Sequence, residues 1–338
     1  MLERMDPTRL GAAGVRLSPS LGRFIWEVSG PHQLALSALS VLVFLLSTAP
    51  LEVQRRMVND AFKGGQFQPI LALALAYVGL AIAEGAVKLA MNVYRGWVSE
   101  TTVRSLRRTV HLLLREASSD RVAADALGIE TSMMLAEAEP IGGFVGVSVS
   151  EPMMQGGLLL AVFGYMTYLE PLMALVALLV FCPQIVFVPL MQHAINLRVA
   201  RRISALREVS VAMMGEPGAH FHVGQDLDVR IDDVFALNMG IYKLKFSMNF
   251  LMNLLHHSGT AGVLAAGGWF VVHGQTEVGT VVAFVSGLAK INDPWGDLVN
   301  WFRDLTATAT KYDLIAQAVN AIAEETETPL GTPVDVVE

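Results

Sequence analysis

A bilayer's hydrocarbon core is crossed by roughly 20 consecutive apolar residues in a helix. This sequence holds six runs of about that length, near 33–51, 69–94, 143–168, 171–192, 246–272 and 278–302. Lipid offers no hydrogen bonds to a peptide backbone, so each run is expected to be helical. Composition points the same way. The chain is 53% hydrophobic and only 16% charged, with a mean hydropathy of +0.48. Soluble domains average about 25% charged residues. The competing reading, a large soluble all-α protein with an unusually apolar core, leaves too little charge to cover its surface. The polar lead-in to the first run extends to about residue 32, and Pro50 stands directly behind the small residues "STA", where cleavage would be poor. The first run is therefore read as a retained span, not a signal peptide.

Positive charge marks the cytoplasmic side of a membrane protein. Of the 24 Lys and Arg, four precede the first run, seven lie between Lys88 and Arg121, seven between Arg198 and Lys245, and three from Lys290 onward. The opposite side holds three, Arg55, Arg56 and Lys63, all in the first outer connection. Both termini are thus expected in the cytoplasm, with the chain integral to a membrane, the bacterial inner membrane fitting best. The net charge of −7 says little about partners, because charge in such a protein sorts by side. Lipid is the implied surroundings, and nothing points to nucleic acid. Cys182 is the one cysteine, so no intramolecular disulfide or cysteine metal cluster can form; it is expected to pack as a small hydrophobe.

The outer connections after the third and fifth runs are a few residues long, "YLEP" and "HGQTE". The inner ones, near 95–142 and 193–245, are long and charged yet keep helical spacing. Val98, Thr102, Leu106, Val110 and Leu113 recur at steps of four and three, with Arg104, Arg107 and Arg108 elsewhere around the helix. The membrane helices are expected to continue well beyond the bilayer.

Six spans with short outer turns and two long helical inner loops resemble the membrane domain of type-1 ABC exporters. Four stretches carry the likeness locally: "PLEVQRRMVNDAF" from Pro50, "VSETTVRSLRRTVHLLL" from Val98, the hairpin "GGWFVVHGQTEVGTVVAF" from Gly267, and "INDPWGDLVNWFRDLTATATKY" from Ile291, with Pro294 midway along the sixth helix. The resemblance implies an all-α, six-helix polytopic fold over 33–320, after a cytoplasmic segment 1–32 and before an acidic tail 321–338. It also implies a homo- or heterodimer, because six such helices form half of the family's pathway. In the fifth-to-sixth hairpin, Thr276 is expected to cap the sixth helix and Glu277 to sit in its first turn, complementing the helix dipole.

No G-x-x-x-x-G-K-[ST] loop occurs, so this chain is not expected to hydrolyse ATP itself and carries no cofactor of its own. ATP and Mg would come with a separate ABC ATPase docked on the inner loops. By resemblance, the coupling segments lie near 118–127, with Ser118, Asp120, Arg121 and Asp125, and near 214–228, with Glu216, His220, His222 and Asp226. Pro217, Gly218 and Gly224 interrupt the second. His220 and His222 lack a third ligand nearby and read as loop polarity, not zinc. Two alternatives stand: an ATP-independent, proton-coupled transporter of the same fold, and a scaffold that no longer transports.

Ionisable groups inside spans are costly and mark candidate function. Glu151 precedes Pro152. Lys290, Asn292 and Asp293 stand just before Pro294. His256 and His257 are adjacent, so they point about 100° apart and cannot face one cavity equally. These six are the candidate pathway residues, with His256 or His257 a proton acceptor alongside Glu151 or Asp293 in the proton-coupled case. Glu84 and Lys88, four apart, are spaced to pair with each other, a structural role that stands beside one toward substrate.

Overall fold

The computed structural model describes residues 17–64, 67–117, 138–214 and 223–327, and among these the chain is almost entirely helical, with no strand. The helices are α1 (Leu21–Phe62), α2 (Phe67–Ala117), α3 (Ser150–Leu169), α4 (Pro171–Met214), α5 (Val223–Val272) and α6 (Val278–Glu327). Helical residues 138–147 lead into α3 across a turn at Ser148 and Val149. At 1.5 Å per residue, the 50 residues of α5 or α6 reach about 75 Å, against a hydrocarbon core of about 30 Å. The expected extension of helices past the spans is thus present.

Among the described residues, four segments are long and apolar enough to cross a membrane: Leu21–Phe62, Phe67–Thr109, Ala138–Leu169 and Pro171–Leu206. The chain has the makings of an integral membrane protein. The two remaining expected spans, in α5 and α6, are helical but more dilute in apolar residues. His256, His257 and a series of glycines lower α5, and Lys290, Asn292 and Asp293 lower α6. Along α2, the most apolar stretch is not buried at all, and Leu71, Leu75, Val78, Ile82 and Leu89 are exposed. Such a surface suits lipid and not water.

The chain divides into two contact units. The first holds residues up to Pro50, Ala76–Ala161 and those from Asn300 on; the second holds Leu51–Leu75 and Val162–Val299. In the first, Leu36, Met91, Val98, Ile141, Val145 and Tyr312 form the buried core. Glycines allow close approach here. A Cβ on Gly142 would overlap Val103, and one on Gly146 would lie 2.6 Å from the Arg95 carbonyl oxygen. This G-x-x-x-G spacing lets two backbones touch, as small residues do in membrane helices. The turn at Ser148 and Val149 interrupts the helical ladder, and side chains satisfy its carbonyls. Gln33 Nε2 donates to the Val145 oxygen at 2.8 Å, and Trp301 Nε1 to the Ser148 oxygen at 3.0 Å. Ser40 on α1 donates to the Ser150 oxygen at 3.0 Å.

In the second unit, α4 and α5 pack along each other, and α6 joins them. The α5–α6 hairpin closes through a paired turn. Gln275 N donates to the Phe270 oxygen at 2.8 Å and Gly274 N to the Val271 oxygen at 3.0 Å. This is a Schellman arrangement, with Gly274 at φ 70° supplying the left-handed residue it needs. The start of α6 differs from the expectation. Thr276 does not cap it; α6 begins at Val278, and Glu277 stands just before its first turn. The cap comes from another helix. Asn59 Oδ1 of α1 accepts from Gly279 N at 2.7 Å, while Asn59 Nδ2 donates to Glu277. A side chain remote in sequence outcompetes the local hydroxyl because Gly279, lacking a Cβ, admits α1 this closely.

Candidate functional site

Three helices of the second unit line a small, mostly apolar and partly open cavity. On α4, Ala177, Val180, Phe181 and Gln184 follow at steps of three and four, so they share one face. On α5, Leu255, His256 and Gly259 do the same, and on α6, Leu288, Ile291 and Asn292. Gly259 brings α5 close, since a Cβ there would lie 3.2 Å from Val180 Cγ1. Its volume is about 10 Å³, near the space one water molecule needs. Most of the wall is apolar. Its polar members are Gln184, His256 and Asn292.

Two of these carry unmet bonding capacity. Gln184 is 3% exposed, and its Oε1 is buried without a hydrogen-bond partner. Asn292 Oδ1 is likewise buried without one. A buried amide oxygen left unpaired costs about 1–3 kcal/mol. Gln184 is held in place around its backbone: Trp295 Nε1 donates to its carbonyl at 3.2 Å, and the Trp295 ring meets Phe181 edge-on with centroids 6.1 Å apart. Pro183 and Pro189 within α4, and Pro294 within α6, each remove a helical N–H donor close to the cavity.

The candidate pathway residues are therefore divided. His256 and Asn292 line the same cavity. His257 is exposed, its ring meeting that of His256 edge-on at 5.6 Å. Asp293 is exposed and Lys290 half-buried, and neither lines the cavity. Glu151 belongs to the first unit and is engaged there. Its Oε2 accepts from Arg95 Nη1 at 2.6 Å, and its Oε1 from Gln155 Nε2 at 2.8 Å. Arg95 is deeply buried, with Nε and Nη2 unpartnered. No ion pair joins Glu84 to Lys88 among the described residues; the buried pair of this region is Arg95–Glu151.

Ser118, Asp120, Arg121, Asp125, Glu216, His220 and His222 lie outside the described residues. Asp226 falls in the first turn of α5, a helix that runs through Gly224. Among the described residues, no cluster of metal-ligating side chains occurs. Cys182 is exposed on α4, not packed inside, because it lies off the α4 face that Phe181 and Gln184 turn inward.

A second cluster sits at the α5–α6 turn. Glu277 receives Lys63 Nζ at 2.6 Å and stands 3.6 Å from Arg55 Nη1. Arg55 also binds Glu52 in a two-pronged contact at 2.7 and 2.8 Å, and Tyr165 donates to Glu52 at 2.6 Å. The Lys63 hydrogen bond holds the Glu277 carboxyl below its usual range, with Lys63 and Arg55 charge and the Asn59 amide adding to it.

Gln184, Arg95 and Asn59 were not singled out from the sequence. Gln184 had a faint signal, a lone amide in an apolar run beside a proline. Arg95 read as one more topology-setting charge, and nothing local betrays its burial. No family model matches the chain, and no curated protein is similar to it.

Proposed function

We propose that this chain is the membrane-spanning subunit of an ABC-type transporter, of the exporter fold. It forms half of a translocation pathway as a dimer, with both termini in the cytoplasm of a bacterial inner membrane. A separate chain supplies the ATPase, and nucleotide-driven closure of that ATPase pushes on the inner loops and rocks the helices.

The observation that supports this most is the paired extension of α4 and α5. These helices have 44 and 50 residues, well over a bilayer crossing. Their charged ends still present Ile203, Leu206, Val229, Ile231 and Phe235 as exposed side chains. Large apolar groups among charges, outside the expected hydrocarbon zone, call for a protein partner. A second copy of the chain meets that need.

The proton-coupled alternative draws on His256 beside the cavity. Its acid partners do not line that cavity, and Glu151 is already bound to Arg95. The pump reading therefore takes precedence.

The test is purification of the tagged chain from its native membranes in mild detergent. An ABC ATPase in stoichiometric amount, with vanadate-sensitive ATP hydrolysis, is expected. An ATPase-free dimer would overturn the split-pump reading.

A further inference from the structure

Two stretches far apart in sequence bring their positive charge to one level of the α4–α5 pair. On α4, Arg198, Arg201 and Arg202 stand just past the fourth apolar run, which ends near 192. On α5, Lys243 and Lys245 stand just before the fifth, which begins near 246. Gly259 approaches Val180 and Gly240 approaches Arg198, so the two helices run antiparallel. Measured from the Arg198–Gly240 level, Lys245 and Arg202 are the farthest apart, at about 14 Å along the pair. No Asp or Glu occurs on α4 before Glu208, or on α5 after Asp233. Among the described residues, none of the five cations forms an ion pair. The acids begin beyond them, where Arg230 meets Glu208 at 2.9 Å.

Arg201, Lys243 and Lys245 are exposed, and Arg198 and Arg202 are half-buried. Arg198 Nη1 donates to the Ala194 oxygen at 3.3 Å, and Arg202 Nη1 to Asn238 Oδ1 at 3.4 Å, so neither meets a negative charge. Beside the lysines, the Tyr242 and Phe246 rings stack with centroids 6.1 Å apart. Both are exposed, as is Phe250 one turn on. Exposed rings of this kind settle at a bilayer's interface, and long basic side chains reach from there to headgroups. We propose that this collar binds the headgroups of anionic phospholipids in the cytoplasmic leaflet. An acidic lipid supplies both halves of what the surface presents. Its phosphate takes the guanidinium and ammonium donors, and its acyl chains cover the rings. A soluble anion supplies the first half alone. The inference rests on the membrane placement in the preceding reading and is independent of the ATPase.

Anything that binds the folded chain and not the unfolded one raises its Tm. The full chain should therefore be unfolded thermally in two lipid nanodiscs with the same acyl chains. One holds phosphatidylcholine alone, and the other phosphatidylcholine with phosphatidylglycerol. Two triple variants accompany the wild type, each removing three positive charges. The first is Arg201→Gln with Lys243→Gln and Lys245→Gln, all at exposed positions of the collar. The second is Arg104→Gln with Arg107→Gln and Arg108→Gln, exposed on the α2 extension. Inorganic phosphate added to the phosphatidylcholine discs tests a free anion against a lipid.

The wild-type Tm is expected to be higher with phosphatidylglycerol, by a difference that shrinks as salt rises. The collar variant is expected to lose most of that difference, and the α2 variant to keep it. Inorganic phosphate is expected to leave Tm unchanged. Equal wild-type Tm values in the two discs would overturn the proposal. So would a difference that the collar variant keeps, or one that both variants lose alike. A rise with inorganic phosphate as large as that with the lipid would overturn the lipid assignment. Should the collar variant fail to fold, Lys243→Gln with Lys245→Gln takes its place and decides by the same outcomes. A chain that enters neither disc would overturn the membrane placement itself. One that enters both and shows no lipid preference overturns this proposal alone.

Discussion

Arg95 and Glu151 show how a residue changes meaning once its partner is known. In the sequence, Glu151 is a costly carboxylate in a span and so a candidate for the pathway. In the fold it neutralises a buried guanidinium 2.6 Å away, and its other oxygen is taken by Gln155. Removing one member of such a pair strands the other. Arg95→Leu is expected to cost about 3–5 kcal/mol, whereas Arg95→Leu with Glu151→Leu together should be far milder. Thermal unfolding of the single and double variants checks this; a double variant as unstable as the single would mean that the pair does not act as a unit. His256 and Asn292, both candidate pathway residues on different helices, line one cavity. Pairwise meetings across helices are invisible in one sequence, because periodicity fixes a face within a helix but not which neighbour that face meets. Glu84 and Lys88 form no ion pair for a related reason: spacing of four permits a contact and does not compel it.

Among the elements, the helices themselves were the most legible feature. Apolar run length announced the helices, and continued three-and-four spacing announced that they run longer than one bilayer crossing needs. The ends were less so. Gly274 was readable as a turn glycine, but the cap on α6 comes from Asn59, more than two hundred residues earlier. Two predictions belong here. Gly279→Ala would place a methyl group against the Arg55 carbonyl and the Asn59 amide, both on α1. Overpacking of that kind costs about 1–3 kcal/mol. A lowered Tm, with faster amide exchange at residues 278–280, is expected. The second concerns pH. Glu277 has a lowered folded-state pKa, caused first by Lys63. Its contribution is therefore fully present above its unfolded pKa, near 4.5, and is lost as pH falls through the lower folded value. Amide exchange at Gly279, corrected for its intrinsic pH dependence, should show falling protection below about pH 4.5, and Glu277→Gln should flatten that profile. Unchanged protection in wild type down to pH 3 would remove the carboxylate from the hairpin's support.

At the scale of the molecule, hydropathy announced an all-α chain with six spans, and among the described residues four helices are long and apolar enough to be such spans. The grouping into two contact units was not, since α1, α2, α3 and α6 each contribute a stretch to both. A dimer is the expected state. Particle mass in detergent should correspond to two copies of the 36.5 kDa chain, and Phe235→Glu, on the exposed α5 extension, should shift it toward one. The same weaving sets a schedule for synthesis. Asn59 and Lys63 leave the ribosome long before Glu277, their partner 218 and 214 residues later. At about 5–20 residues per second, the end of the first span waits roughly 10–40 s for its mate. Through that interval its polar tip is held by water alone. The first hairpin of this protein is therefore born incomplete, and the last one to emerge finishes it.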